Sequence, residues 1–91
     1  MKTIKVRQMT STRTGNPVAN QFEIFTPKGV YFQSYSTLIA FKPDTGKLKL
    51  DSDYWDYSRT TSKYRNEFTR MSTPETKEAI KNKEITLTNL N

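Results

Sequence analysis

The chain has no cysteine and no histidine among its 91 residues. Disulfides and zinc are therefore excluded, and an intracellular setting fits the missing cysteines. The same two absences remove the usual general base near neutral pH and the best thiol nucleophile, so catalysis ranks last among the functions considered. No apolar run approaches the roughly 18–20 residues that a membrane span requires, and no membrane partner is expected. The N-terminal stretch Met1-Lys2-Thr3-Ile4-Lys5-Val6-Arg7 alternates charged and apolar residues without an apolar core segment, so no signal peptide is expected and a cytosolic location is. Hydrophobic residues are scarce at 33%, and the mean hydropathy is -0.83. Aromatics make up 12% of the chain and offset that scarcity, since each buried ring removes about 150–250 Å² from water. The length fits one small folded domain over 1–91.

Positive charge is in excess: 15 Lys and Arg stand against 9 Asp and Glu, a net +6. It is unevenly placed. Lys2, Lys5, Arg7 and Arg13 open the chain with no acid before residue 20; Asp51, Asp53 and Asp56 make a short acidic stretch; Arg59, Lys63, Arg65 and Arg70 then outnumber Glu67. Such a distribution attracts phosphates, although net charge alone speaks to solubility and adhesion as much as to function.

The first half has the period of antiparallel β-structure. Thr3 to Thr12 alternates weakly, and Thr14-Gly15-Asn16-Pro17 is a turn signal. Asn20 to Thr26 is a second strand, with Phe22 and Ile24 expected inward and Glu23 and Phe25 on the other face. Thr26-Pro27-Lys28-Gly29 suits a tight turn. Val30 to Phe41 is rich in β-formers, but its apolar residues change parity near Gln33 to Ser36, which predicts a bulge or a bend dividing the strand. Pro43-Asp44-Thr45-Gly46 leads into Lys47 to Asp51.

The second half changes period. Tyr57, Thr61, Tyr64, Phe68 and Met71 share one helical face, and Arg59, Lys63, Asn66 and Arg70 share the opposite one. A helix over about 58–71 follows, capped by Asp56 or Ser58. Ser72-Thr73-Pro74-Glu75 fits a capping box, with a short helix over Thr76 to Asn82. Glu84 to Thr88 alternates like a last strand. The predicted fold is α+β: an antiparallel four- or five-stranded sheet packed against one main helix plus a short C-terminal helix. The stripe from Tyr57 to Phe68 is expected on Phe22, Ile24, Ile39 and Leu48 or Leu50.

The candidate binding residues are Arg59, Lys63 and Arg70 on the helix, with Lys5, Arg7 and Arg13 in the basic N-terminal segment. Laid along phosphates, they would release counterions and make binding salt-dependent; a solvated charged face is the ordinary alternative. Tyr35 and Trp55 are candidates for stacking on bases, among the rings Tyr31, Phe32 and Tyr54, although nothing matches the aromatic pattern of an RNA-recognition motif. Asp51, Asp53 and Asp56 lack the continuation of a calcium-binding loop and suit a strand end before a helix, where negative charge favours the helix dipole. No metal and no cofactor are expected.

Ser34-Tyr35-Ser36-Thr37-Leu38-Ile39-Ala40 and the run Tyr54-Trp55-Asp56-Tyr57-Ser58-Arg59-Thr60-Thr61-Ser62-Lys63-Tyr64-Arg65-Asn66-Glu67-Phe68 resemble a family of small proteins encoded by bacteriophages and related mobile elements. That family carries an S-Y-x-T-x-I-A strand and a W-D-Y-S-x-T-T-x-K-Y-x-x-x-F helix. The resemblance covers roughly residues 34–68. It implies a phage setting, with action in the host cell cytoplasm, and transfers no site residue. Small phage accessory proteins often bind host machinery or block defence systems, anti-CRISPR proteins among them. The leading expectation is thus a non-enzymatic accessory protein binding nucleic acid or a host or defence nucleoprotein. The rival is a protein-directed inhibitor of a host or defence system, and a third reading is a homo-oligomer joined by exposed strand edges.

Overall fold

A computed structural model describes residues 4–91, so the start of the first predicted strand at Thr3 and the charge of Lys2 lie outside the described residues. Among the described residues there are six strands and two helices. They are β1 (Lys5–Thr10), β2 (Pro17–Thr26), β3 (Gly29–Ser34), β4 (Thr37–Pro43), β5 (Lys49–Asp51), α1 (Arg59–Thr69), α2 (Thr73–Lys81) and β6 (Thr86–Thr88). One sheet holds all six strands in chain order. Its neighbours are antiparallel from β1 to β5, and β6 joins β5 in parallel.

The parity change inside Val30 to Phe41 resolves into both of its expected forms. A turn at Tyr35 and Ser36 splits the segment into β3 and β4, and Tyr35 takes the left-handed φ of 57°. A bulge follows, because Phe32 pairs with Ala40 and Gln33 with Leu38, which leaves Ile39 as the extra residue. The inserted residue keeps Ile39 and Ala40 both in the core. Gly29 closes the β2–β3 turn with a φ of 153°, and a side chain there would strike Lys42 O and the Pro43 Cα.

Directly opposed residues share a sheet face. Arg7, Glu23, Phe32, Ala40, Leu50 and Leu87 therefore form one row across the sheet, and Val6, Ile24, Tyr31, Phe41, Lys49 and Thr86 form the row on the reverse face. Phe32 stacks on Phe68 of α1 with ring centroids 5.8 Å apart, and Ser34 Oγ lies 3.0 Å from Thr61 Oγ1. The helix thus covers the Phe32 face. Phe22 and Ile24 point the other way, contrary to expectation. The register with β3, where Phe32 carries the core, sets the parity of β2 and turns Glu23 toward the helix side. On the reverse face Tyr31 and Phe41 stack at 4.3 Å.

The core consists of Met9, Phe32, Ile39, Ala40 and Leu50 from the sheet region, Tyr64 and Phe68 from α1, Ala79 from α2 and Ile85 before β6. Ser58 is the cap of α1, accepting from Thr61 N at 3.1 Å, and Thr61, Tyr64 and Phe68 are buried as the spacing predicts. Tyr57 is a correction: it precedes the cap, escapes the helical stripe and is 62% exposed. The Ser72 capping box is present, with Ser72 Oγ accepting from Glu75 N at 3.2 Å and Ser72 N donating to Glu75 Oε1 at 3.0 Å.

Candidate nucleic-acid interface

Burying Thr61, Tyr64 and Phe68 leaves Arg59 and Lys63 on the outer face of α1, and Arg70 at its C-cap; all three are exposed. The Lys63 ammonium lies 5.3 Å from the centre of the Tyr64 ring, so its alkyl stem covers the helix while the charge remains wet. Strand parity brings Arg7 to the same side of the sheet. There Arg7, Glu23, Lys42, Glu67, Phe68 and Arg70 line a cleft of about 470 Å³ between β1 and the end of α1. Arg7 Nη2 pairs with Glu23 Oε1 at 2.8 Å, and its guanidinium also lies over the Phe25 ring at 5.6 Å. Lys42 Nζ donates to Phe68 O at 2.9 Å, neutralising a carbonyl at the helix end.

The fold therefore gathers Arg7 and Arg70 in one cleft. Lys5 shares the parity of Arg7 on β1, Arg13 lies exposed in the β1–β2 connection, and Arg59 and Lys63 occupy the outer face of α1. Lys42 was missed by the sequence reading. Its signal was parity: two residues beyond Ala40, it must share the core side of β4.

The acidic stretch has structural work. Asp51 is buried. Its Oδ2 accepts from Asp53 N at 3.1 Å and Tyr54 N at 3.0 Å, and its Oδ1 accepts from Leu90 N at 2.8 Å and Asn91 Nδ2 at 3.0 Å. Burial would raise its pKa, but these hydrogen bonds from Leu90, Asp53, Asn91 and Tyr54 hold it below the ordinary aspartate value. Asp56 accepts from Ser62 Oγ at 3.1 Å and stands 3.5 Å from Arg65 Nη1. Among the described residues no three side chains of the metal-ligating types come together.

Among the described residues Arg65 is the largest fully buried side chain. Its Nη1 donates to Trp55 O at 2.5 Å, its Nη2 donates to Asn66 Oδ1 and Thr73 Oγ1, both at 2.9 Å, and its guanidinium lies 5.2 Å from the Trp55 ring. Trp55 is half-buried and packs against the core, beneath a cation the chain already supplies. Burial lowers the pKa of Arg65, and Asp56 opposes that shift. Helical spacing alone could not reveal this residue, because besides Asn66 of its own helix it binds Trp55 in the loop before α1 and Thr73 at the start of α2.

Tyr35 lies elsewhere, in a second cleft of about 420 Å³ between the β3–β4 turn and the start of α1. Ser34, Tyr35, Ser36, Thr37, Tyr57, Ser58 and Thr60 line it, so every lining side chain carries a hydroxyl. Tyr35 is 56% exposed, and the ring of Tyr57 meets that of Tyr54 edge-on at 5.7 Å.

Among the described residues no helix is long and apolar enough to cross a membrane. No curated protein and no solved structure matches the chain. A family model does match, over residues 4–86, and so takes in the β1–β2 hairpin and the start of β6 as well as the two motifs in 34–68. The chain belongs to the family described as "Family of unknown function (DUF8033)".

Proposed function

We propose that the protein is a non-enzymatic phage accessory protein, acting in the host cytoplasm, that binds nucleic acid or a nucleoprotein complex through its basic helix side. One observation carries this reading. Arg59, Lys63 and Arg70 form no ion pair among the described residues, whereas Asp51, Asp56, Glu23 and Glu75 are engaged in hydrogen bonds or ion pairs within the fold. These cations thus face water while those four carboxylates are engaged within the fold; Glu67, which lines the cleft with Arg70, pairs with none of the three, and the unpaired positive charge favours an external polyanion. The phage setting rests on the motif resemblance in residues 34–68. Fluorescence anisotropy with labelled DNA and RNA over a salt series tests the reading. Binding at low salt that weakens steeply with added salt supports it; no binding at low salt removes it.

A second reading, a protein-directed inhibitor of a host or defence system, is favoured by the reverse face of the sheet. There Val6 is 62% exposed beside Ile24, with Phe22 and Tyr31 half-buried and, among the described residues, no helix over them. Exposed apolar surface of this kind suits a protein partner. Recovery of one host protein from nuclease-treated lysate, lost on Ile24→Glu substitution, supports this alternative.

A further inference from the structure

The hydroxyl-lined cleft brings together two tyrosines that the sequence assigns to different tasks. Tyr35 sits in the β3–β4 turn, and Tyr57 lies one residue before the cap of α1, yet both line the same depression and both are mostly in water. A small domain short of apolar residues gains more from burying such rings than from exposing them. Tyr35 also takes a φ of 57°, a conformation that Gly or Asn adopts with less strain, so the turn does not by itself favour this side chain.

The hydroxyls of the cleft divide into two groups. Ser58 Oγ accepts from Thr61 N, and Ser34 Oγ bonds Thr61 Oγ1. The side-chain hydroxyls of Tyr35, Ser36, Thr37, Tyr57 and Thr60 have no partner among the described residues. None of the lining residues carries a carboxylate, and the adjacent Asp56 is engaged with Ser62 and Arg65. Arg59 stands between two lining residues, Ser58 and Thr60, and Lys63 follows one helical turn later, both exposed. A volume of about 420 Å³ falls within the range of about 300–1,000 Å³ usual for small-ligand sites.

We infer that this cleft receives an unpaired base of a single-stranded nucleic acid, stacked on Tyr35 or Tyr57, with the adjoining phosphates directed toward Arg59 and Lys63. Stacking on an aromatic face requires a base released from its duplex neighbours, because a paired duplex offers only edges and backbone. Free hydroxyls both donate and accept, so they serve any base edge or sugar and give little sequence preference. The inference rests on the nucleic-acid reading above and narrows it to single strands.

The test compares a labelled single strand of about 16 nucleotides, as DNA and as RNA, with a duplex of the same length at one low salt concentration. Tyr35→Asn keeps a residue tolerant of the left-handed conformation, and Tyr57→Ala changes a side chain outside the core. Each is expected to weaken single-strand binding roughly tenfold and to change duplex binding by less than about twofold. Tyr57→Phe keeps the ring and is expected to bind within about threefold of wild type. Thermal unfolding confirms that each variant is folded; if Tyr35→Asn is not, Tyr57→Ala decides. The inference is overturned if the wild type prefers the duplex, if the tyrosine variants bind single strands as well as wild type, or if they lose both forms equally. Loss on replacing Arg59, Lys63 and Arg70 but not the tyrosines overturns the inference and leaves the nucleic-acid reading standing. Absence of binding to every probe overturns both.

Discussion

Arg65 Nη2 donates to Thr73 Oγ1 at 2.9 Å, so a cation in the middle of α1 holds the first residue of α2. The same guanidinium reaches back to the carbonyl of Trp55, and so joins the loop before α1 to the corner after it. Replacing Arg65 by Met would leave the Trp55 carbonyl and Asn66 Oδ1 without their donor, and Thr73 Oγ1 with only Asn66 Nδ2 at 3.3 Å, in a site with 0% exposure. The expected loss is about 3 kcal/mol or more, read from the urea midpoint. Asp56 is 43% exposed, so Asp56→Asn is expected to cost less than about 1 kcal/mol. Equal losses for the two variants would show that the ion pair, rather than the hydrogen-bond hub, carries the stabilisation.

Asp51 predicts an acid-sensitive fold. Its pKa is depressed in the folded state, so its stabilisation is fully present above the unfolded value near about 3.9 and is lost as pH falls through the lower folded value. Denaturant midpoints measured downward from neutral pH should therefore fall below about pH 4. In Asp51→Asn the neutral-pH stability should already be reduced, because an amide oxygen cannot accept all four bonds, and this acid-linked decline should be shallower.

The glycines separate steric from conformational cost. At Gly29 an added Cβ meets backbone atoms of Lys42 and Pro43, which cannot move without disturbing β4, and Gly29→Ala is expected to destabilise by about 3 kcal/mol. At Gly15, with a φ of 75°, an added Cβ meets nothing within 4 Å, and Gly15→Ala should cost only about 1 kcal/mol. Thermal unfolding of the two variants side by side checks the difference.

The basic side of α1 predicts a salt slope. If Arg59, Lys63 and Arg70 each neutralise one phosphate, their joint replacement by Ala should reduce the slope of log K against log salt by about 2 for single strands. Because all three side chains are exposed, the unfolding temperature should be nearly unchanged. An unaltered slope would place the contacts elsewhere on the protein.

The elements legible in the sequence were those with local causes. The cap at Ser58, the capping box at Ser72, the buried stripe Thr61–Tyr64–Phe68 and the break within Val30 to Phe41 all follow from neighbouring residues. The sheet has six strands rather than four or five because the bend produced a separate β4 and because Thr86–Thr88 joined β5. What sequence could not settle was relational. Phe22 and Glu23 are equally compatible with an inward face until β3 fixes the register. Tyr57 fits the helical stripe by spacing, but the helix begins after it. Arg65 reads as one more surface cation unless Trp55 and Thr73 are known to converge on it. Of the candidate site, the exposure of Arg59, Lys63 and Arg70 was legible, whereas the placing of Tyr35 and Tyr57 in one cleft depended on where the β3–β4 turn lands.

Among the described residues the lone parallel pairing, β5 with β6, joins Lys49 to Thr86 and Asp51 to Thr88 across both helices. The first five strands can assemble hairpin by hairpin, each step closing only a short loop. Contact order predicts that the sixth gains its register after α1 and α2 have docked and their corner has closed, because its pairing spans the longest stretch of chain. Hydrogen exchange during refolding should accordingly protect the amides of Thr86 and Ser52, which bond across this seam, later than those of the β2–β3 hairpin.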